Sequence, residues 1–130
     1  MPTKEDFALL VNTCHHCELV VNICSSMVFD FVAHDKPTIY PNYEQPQLKK
    51  GIRDIGQNYK YVHFRSMPDY DTSVTWAMNK EEIYDGIKGL LNGSLNPVPV
   101  TKKWFGIVNN PEQPEKASER IWEGINEILE

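Results

Sequence analysis

A chain of 130 residues is long enough for one domain built around one hydrophobic core. Its 41% hydrophobic and 24% charged residues suit a soluble globular protein, and no apolar run approaches the roughly 20 residues that span a bilayer. The net charge of -5 argues against broad nucleic-acid binding, which needs a basic surface.

The opening Met1-Pro2-Thr3-Lys4-Glu5-Asp6 is polar and partly acidic, unlike a secretory leader. Together with three cysteines, it points to reduced thiols in the cytoplasm. Thr3 and Asp6 form a capping box, with Asp where Glu or Gln is usual. Phe7, Leu10, Val11 and Cys14 then recur at the spacing of one buried helical face. Leu19 to Ile23 is short and β-branched, as expected of a strand buried on both faces. Ser25-Ser26 follows, and a short, mostly buried helix begins at Ser26 and stops at Asp35-Lys36-Pro37, because Pro37 disfavours helix before it. Thr38-Ile39-Tyr40 is a second strand. Helix, strand, helix, strand is the order of an α/β domain with a parallel sheet and crossover helices.

Residues 41–59 read as loop, with a short helix around Pro46 to Ile55. Tyr61 to Phe64 reads as a third strand, and Val74 to Ala77 as a fourth, short and near an edge. Asn79 caps a helix with Glu82 in the box position. Ile83, Tyr84, Ile87, Leu90 and Leu91 form its inner stripe, and Gly93 ends it. Asn92 to Gln113, rich in Pro, Asn and Gly, reads as loop. A last helix runs from about Pro114 to Leu129, with Ala117, Ile121, Ile125 and Ile128 inward.

The strand-to-helix turn at Asn22-Ile23-Cys24-Ser25-Ser26 is the candidate site. The first amides of a helix lack internal partners and carry partial positive charge, which suits a phosphate. The carboxyl ends of parallel strands are where open α/β sheets bind ligands. Ser26 and Asp30 stand one helical turn apart, and Asp30, set among Val28, Phe29, Phe31 and Val32, is expected to be buried and to need a partner. The same spacing also fits a plain helix cap with Ser26 as N-cap.

Glu18 to Tyr40 resembles the DVVIN-x-x-SSM-x-x-D-x-x-x-x-x-KP-x-I stretch of the C-terminal half of GT-B fold glycosyltransferases. It is also similar to the matching stretch of CDP-glycerol glycerophosphotransferases. Asn79 to Ile83 resembles the start of a late helix in that family, and Lys116 to Ile121 its closing G-K-A-S-x-R-I segment. Residues 41–75 carry the least of the likeness. The resemblance implies a Rossmann-like three-layer domain with a short, mostly parallel sheet, an incomplete GT-B C-terminal half within a larger transferase. It implies that Ser25, Ser26, Met27 and Asp30 meet the nucleoside diphosphate of a nucleotide-sugar donor. A glycan or lipid-linked acceptor would bind a domain outside these residues, so that this part alone is inactive. The whole enzyme would be cytoplasmic or peripheral to the inner membrane face.

Two departures stand out. Ile23 occupies a position that is commonly acidic in glycerophosphotransferases, which favours sugar transfer over polyol-phosphate transfer. Glu115 stands where a glycine would precede Lys116. The expected chemistry uses neither cofactor nor metal, because helix amides and hydroxyls, with Lys49, Lys50 and Arg53 nearby, would meet the leaving diphosphate. The alternative is a non-catalytic α/β interaction module, and an open sheet edge would favour a homodimer. Cys14-x-x-Cys17 offers half of a zinc site at most, and a core or helix-end role suits it better. His34 and His63 are candidate proton carriers, and His34 stands one turn from Asp30. Trp104 is the best of the three tryptophans for stacking a base.

Overall fold

The computed structural model describes residues 2–44, 55–109 and 117–129. The elements are α1 (Lys4–His16), β1 (Val20–Val21), α2 (Met27–Ala33), β2 (Thr38–Pro41), α3 (Ile55–Asn58), α4 (Val62–Arg65), β3 (Thr75–Ala77), α5 (Lys80–Leu91), α6 (Val98–Asn109) and α7 (Ala117–Leu129). The three strands form one parallel sheet in the order β1-β2-β3. Val20 lies opposite Thr38, and Tyr40 opposite Trp76. The chain is therefore an α/β protein with a short parallel sheet, as its element order predicts.

Side chains alternate across a strand, so β2 feeds two layers. Ile39 and Thr75 face α5, where the chain closes in on Gly86. A Cβ on Gly86 would stand 3.3 Å from each of their side chains. Tyr40 faces the other way, into the main core with Val28, Tyr59, Phe64, Met67, Val74 and Trp104. Helices thus cover both faces of the sheet, because a parallel sheet must bury both.

Local cap chemistry is realised as read. Thr3 and Asp6 form a reciprocal capping box on α1. Asn79 accepts from the Glu82 amide at 2.8 Å and opens α5. Gly93, with φ 78°, follows that helix in the left-handed region that glycine adopts freely.

Several expectations are corrected. Tyr61 to Phe64 is not a strand: Val62–Arg65 is a single helical turn, α4, and Phe64 is its only buried residue. The stretch read as loop after Asn92 contains α6, whose Pro99 lies in the first turn, where a missing N–H costs nothing. The β1 strand is two residues long, and Val21 and Ile23 are exposed, so it is not buried on both faces. Its outer edge pairs with no strand among the described residues. The apolar stripes of α1 and α7, expected to face inward, are largely exposed. Only Cys14 of the α1 stripe is buried, while Phe7 and Val11 are exposed. Ile121, Ile125 and Ile128 of α7 are exposed as well. On α5 the buried positions are Gly86 and Gly89, and Tyr84 and Leu91 face outward. The helix expected from Pro46 and the basic trio Lys49, Lys50 and Arg53 lie outside the described residues. No described helix is long and apolar enough to cross a membrane.

Candidate functional site

The Cys24-Ser25-Ser26 turn leaves β1 and enters α2 at the carboxyl end of the sheet. Its place there is fixed from β2. The Tyr59 hydroxyl accepts from the Cys24 amide at 3.3 Å and donates to the Pro41 carbonyl at 2.8 Å. The Tyr40 hydroxyl donates to the Ser25 carbonyl at 2.7 Å. Cys24 has φ 39°, a left-handed conformation uncommon for a residue with a side chain. Burial pushes its thiol above the ordinary cysteine range, partly offset by a hydrogen bond from Asn58.

The predicted residues fall as follows. Ser25 is half-buried, and its Oγ accepts from the Met27 amide at 3.2 Å. Ser26 is exposed and precedes α2 in a helical conformation, without a side-chain cap bond. The helix therefore begins at Met27, which is half-buried. The Val28 and Phe29 amides turn back to the Ser25 and Ser26 carbonyls. The amides of Ser25 and Ser26 themselves make no hydrogen bond among the described residues. These two N–H groups are what the turn offers an anion.

Asp30 corrects an expectation. It is exposed, so its carboxylate needs no buried partner, and it forms no ion pair with His34 among the described residues. The His34 ring lies instead beside His15, with centroids 6.2 Å apart. Asp30 does lie close enough to Cys14 to help burial raise that thiol. Ser25, Ser26 and Met27 form one local surface, and Asp30 stands a turn away on the same helix.

Asn22, at the start of the candidate turn, and Thr38 carry buried polar atoms. Among the described residues, neither side-chain amide atom of Asn22, which follows β1, has a hydrogen-bond partner, and the same holds for Thr38 Oγ1. Val20 pairs with Thr38 in register, so Asn22 shares the face of Tyr40, beneath α2. Its place at a strand's carboxyl end was the available signal. A cavity of about 300 Å³ lies at the opposite end of the sheet, lined by Glu18, Lys36, Pro37 and Leu95 among others. Another of about 400 Å³ flanks β3 at Thr75 and Trp76. Neither of these two includes the serines.

Trp104 is no stacking platform. It is fully buried, with its indole N–H shared between the His63 carbonyl and Ser66 Oγ at 3.0 Å each. Cys14 is buried and Cys17 exposed, and no group of three or more His, Cys, Asp or Glu side chains among the described residues is placed to hold a metal. Comparison of the chain with protein-family models, with curated proteins and with solved structures returns no match to any of them.

Proposed function

We propose that this chain is the donor-binding part of a glycosyltransferase, holding the diphosphate of a nucleotide sugar while a separate domain presents a glycan or lipid-linked acceptor. The observation that carries this reading is the pair of amides at Ser25 and Ser26, unpartnered among the described residues, at the carboxyl end of a parallel sheet. The exposed Ser26 and the hydroxyl proton of Ser25 add donors at the same place. The resemblance of Glu18 to Tyr40 to GT-B enzymes supplies the substrate class.

In this account the acceptor oxygen bonds to the sugar's anomeric carbon as that carbon's bond to the diphosphate oxygen breaks, and the leaving diphosphate gains negative charge. Donors fixed in the turn stabilise that charge more in the transition state than in the bound donor, which is the condition for acceleration. Because Ser26 is exposed, water competes for these donors until a second domain covers them. Asp30 is left with a role at the rim, accepting from a ribose hydroxyl.

A second reading, a non-catalytic interaction module, draws on the exposed apolar residues Phe7, Val11, Val21 and Ile23 and on the outer β1 edge, which pairs with no strand among the described residues. A CDP-polyol phosphotransferase would use the same turn with a different base. Calorimetry with UDP, GDP and CDP separates the three. Saturable heat with UDP or GDP supports sugar transfer, preference for CDP supports the polyol branch, and no heat from any at millimolar concentration supports the module. Ser26→Asp puts a negative charge against the free amides and is expected to abolish nucleotide binding; unchanged affinity would contradict the phosphate role.

A further inference from the structure

We propose that Tyr40 and Tyr59 are positioning residues: their hydroxyls, reaching the turn from the core, aim the Ser26 amide outward. The inference rests on the donor-binding reading for its purpose, but its geometry stands apart from it.

The peptide unit is planar. The Ser25 carbonyl and the Ser26 N–H belong to one trans peptide, so they point in opposite directions. The Tyr40 hydroxyl holds that carbonyl inward at 2.7 Å. The Ser26 N–H must then point away from the core, and Ser26 is exposed. The Ile23–Cys24 unit, two peptides earlier, is fixed the other way round. The Cys24 N–H is held inward by Tyr59, which is itself tied to Pro41 on β2.

Local bonds alone are a weak hold on this shape. Within the turn there are the Met27 amide to Ser25 Oγ, a long 3.4 Å bond from the Val28 amide to the Ser25 carbonyl, and a 2.9 Å bond from the Phe29 amide to the Ser26 carbonyl that holds the following peptide rather than the Ser25–Ser26 unit. Cys24 at φ 39° also resists it, since such a conformation persists only where the surroundings over-determine it. The tyrosines meet that need because their rings are themselves locked. Tyr40 and Tyr59 pack against each other at 5.4 Å, and both pack against Trp76 and Phe64. Burial holds both phenols above their ordinary range, so they remain neutral donors across physiological pH. Rigid aromatic bodies with polar tips place a hydroxyl accurately at little entropic cost.

The test replaces each hydroxyl by hydrogen and keeps the ring. In Tyr40→Phe, NMR should show the Ser25 carbonyl carbon and the Ser26 amide shifted, with the resonances of α5 unchanged. Affinity for the nucleoside diphosphate that the unaltered protein binds should fall about tenfold, the effect of losing one net hydrogen bond of ordinary strength. Tyr59→Phe should speed hydrogen exchange at the Cys24 amide by a similar factor. Unmoved turn resonances in both variants would overturn the proposal, as would moved resonances with unchanged affinity. If the unaltered protein binds none of UDP, GDP and CDP, the donor reading fails, and the aiming of the Ser26 amide is then decided by the resonances alone. Should a variant not fold, the unaltered protein still decides the matter. Tyr40 and Tyr59 hydroxyl protons slow enough to be observed, with contacts to the Ser25–Ser26 backbone, support the clamp, and their absence refutes it.

Discussion

Replacing Trp104 is a sharp test of how the core is built, because two readings of that residue differ in sign. If it were a surface platform for a base, truncation would cost binding and leave stability alone. In the structure it is fully buried, between Phe29 at 4.7 Å and Phe64 at 5.9 Å, and its N–H ties α6 to α4. Removing a buried Trp side chain costs about 3–5 kcal/mol through lost transfer energy and the cavity left behind. Trp104→Ala should therefore lose about 4 kcal/mol, a large share of the roughly 5–15 kcal/mol that holds a domain together. Trp104→Phe keeps most of the packing but leaves the His63 carbonyl and the Ser66 hydroxyl without this donor. His63 is exposed and Ser66 half-buried, so water can replace part of the loss, and about 2 kcal/mol is expected. Urea unfolding followed by circular dichroism measures both. A loss under about 1 kcal/mol for the alanine variant, well below the usual buried-Trp range, would refute the core assignment.

Asn79→Ala removes the α5 cap and the partner of Glu82, and should cost about 1 kcal/mol in the same unfolding experiment. The Asp6 carboxyl is held below its ordinary 3.8 by hydrogen bonds from the Thr3 amide and hydroxyl. A lowered native value means that the cap's contribution is complete above 3.8 and is lost as pH falls through the lower native value. Amide exchange in the first turn of α1 should rise on acidification only there, and a rise near neutrality would contradict it. Burial raises both Tyr40 and Tyr59 above their ordinary 10.0, so the unfolded chain releases these protons first. Stability should then be complete below pH 10 and fall as pH rises beyond it. Tyrosinate absorbance should appear for these two residues together with unfolding, not before it.

What could be read from the sequence divides along a physical line. The Thr3–Asp6 box and the Asn79 cap on the Glu82 amide are chemistry between residues three apart, and both were legible. The α4 turn was not, because four residues hold too little period to separate Tyr-Val-His-Phe as helix from strand. In α6 the prolines at 97 and 99 read as breakers, although Thr101 and Trp104 already carried helical spacing. The stripes on α1 and α7 were legible as patterns, but a pattern does not name what covers it, and here Phe7, Val11 and Ile128 are exposed. The site shows the same division. The Ser25–Ser26 turn follows from a strand, two small residues and a helix. The hydroxyls that fix it come from Tyr40 and Tyr59, which bond to Ser25 and Cys24 across 15 and 35 residues of sequence.

The claim on which the functional account depends is that the Ser25 and Ser26 amides receive a nucleotide's phosphates. Titrating the isotopically labelled protein with UDP, GDP and CDP while following backbone amides addresses it directly. At least one nucleotide should move the Ser25 and Ser26 resonances along a saturating curve, with inorganic phosphate moving the same pair more weakly. Stationary serine amides under all three nucleotides, or shifts confined to the cavities beside Pro37 and Trp76, would contradict it.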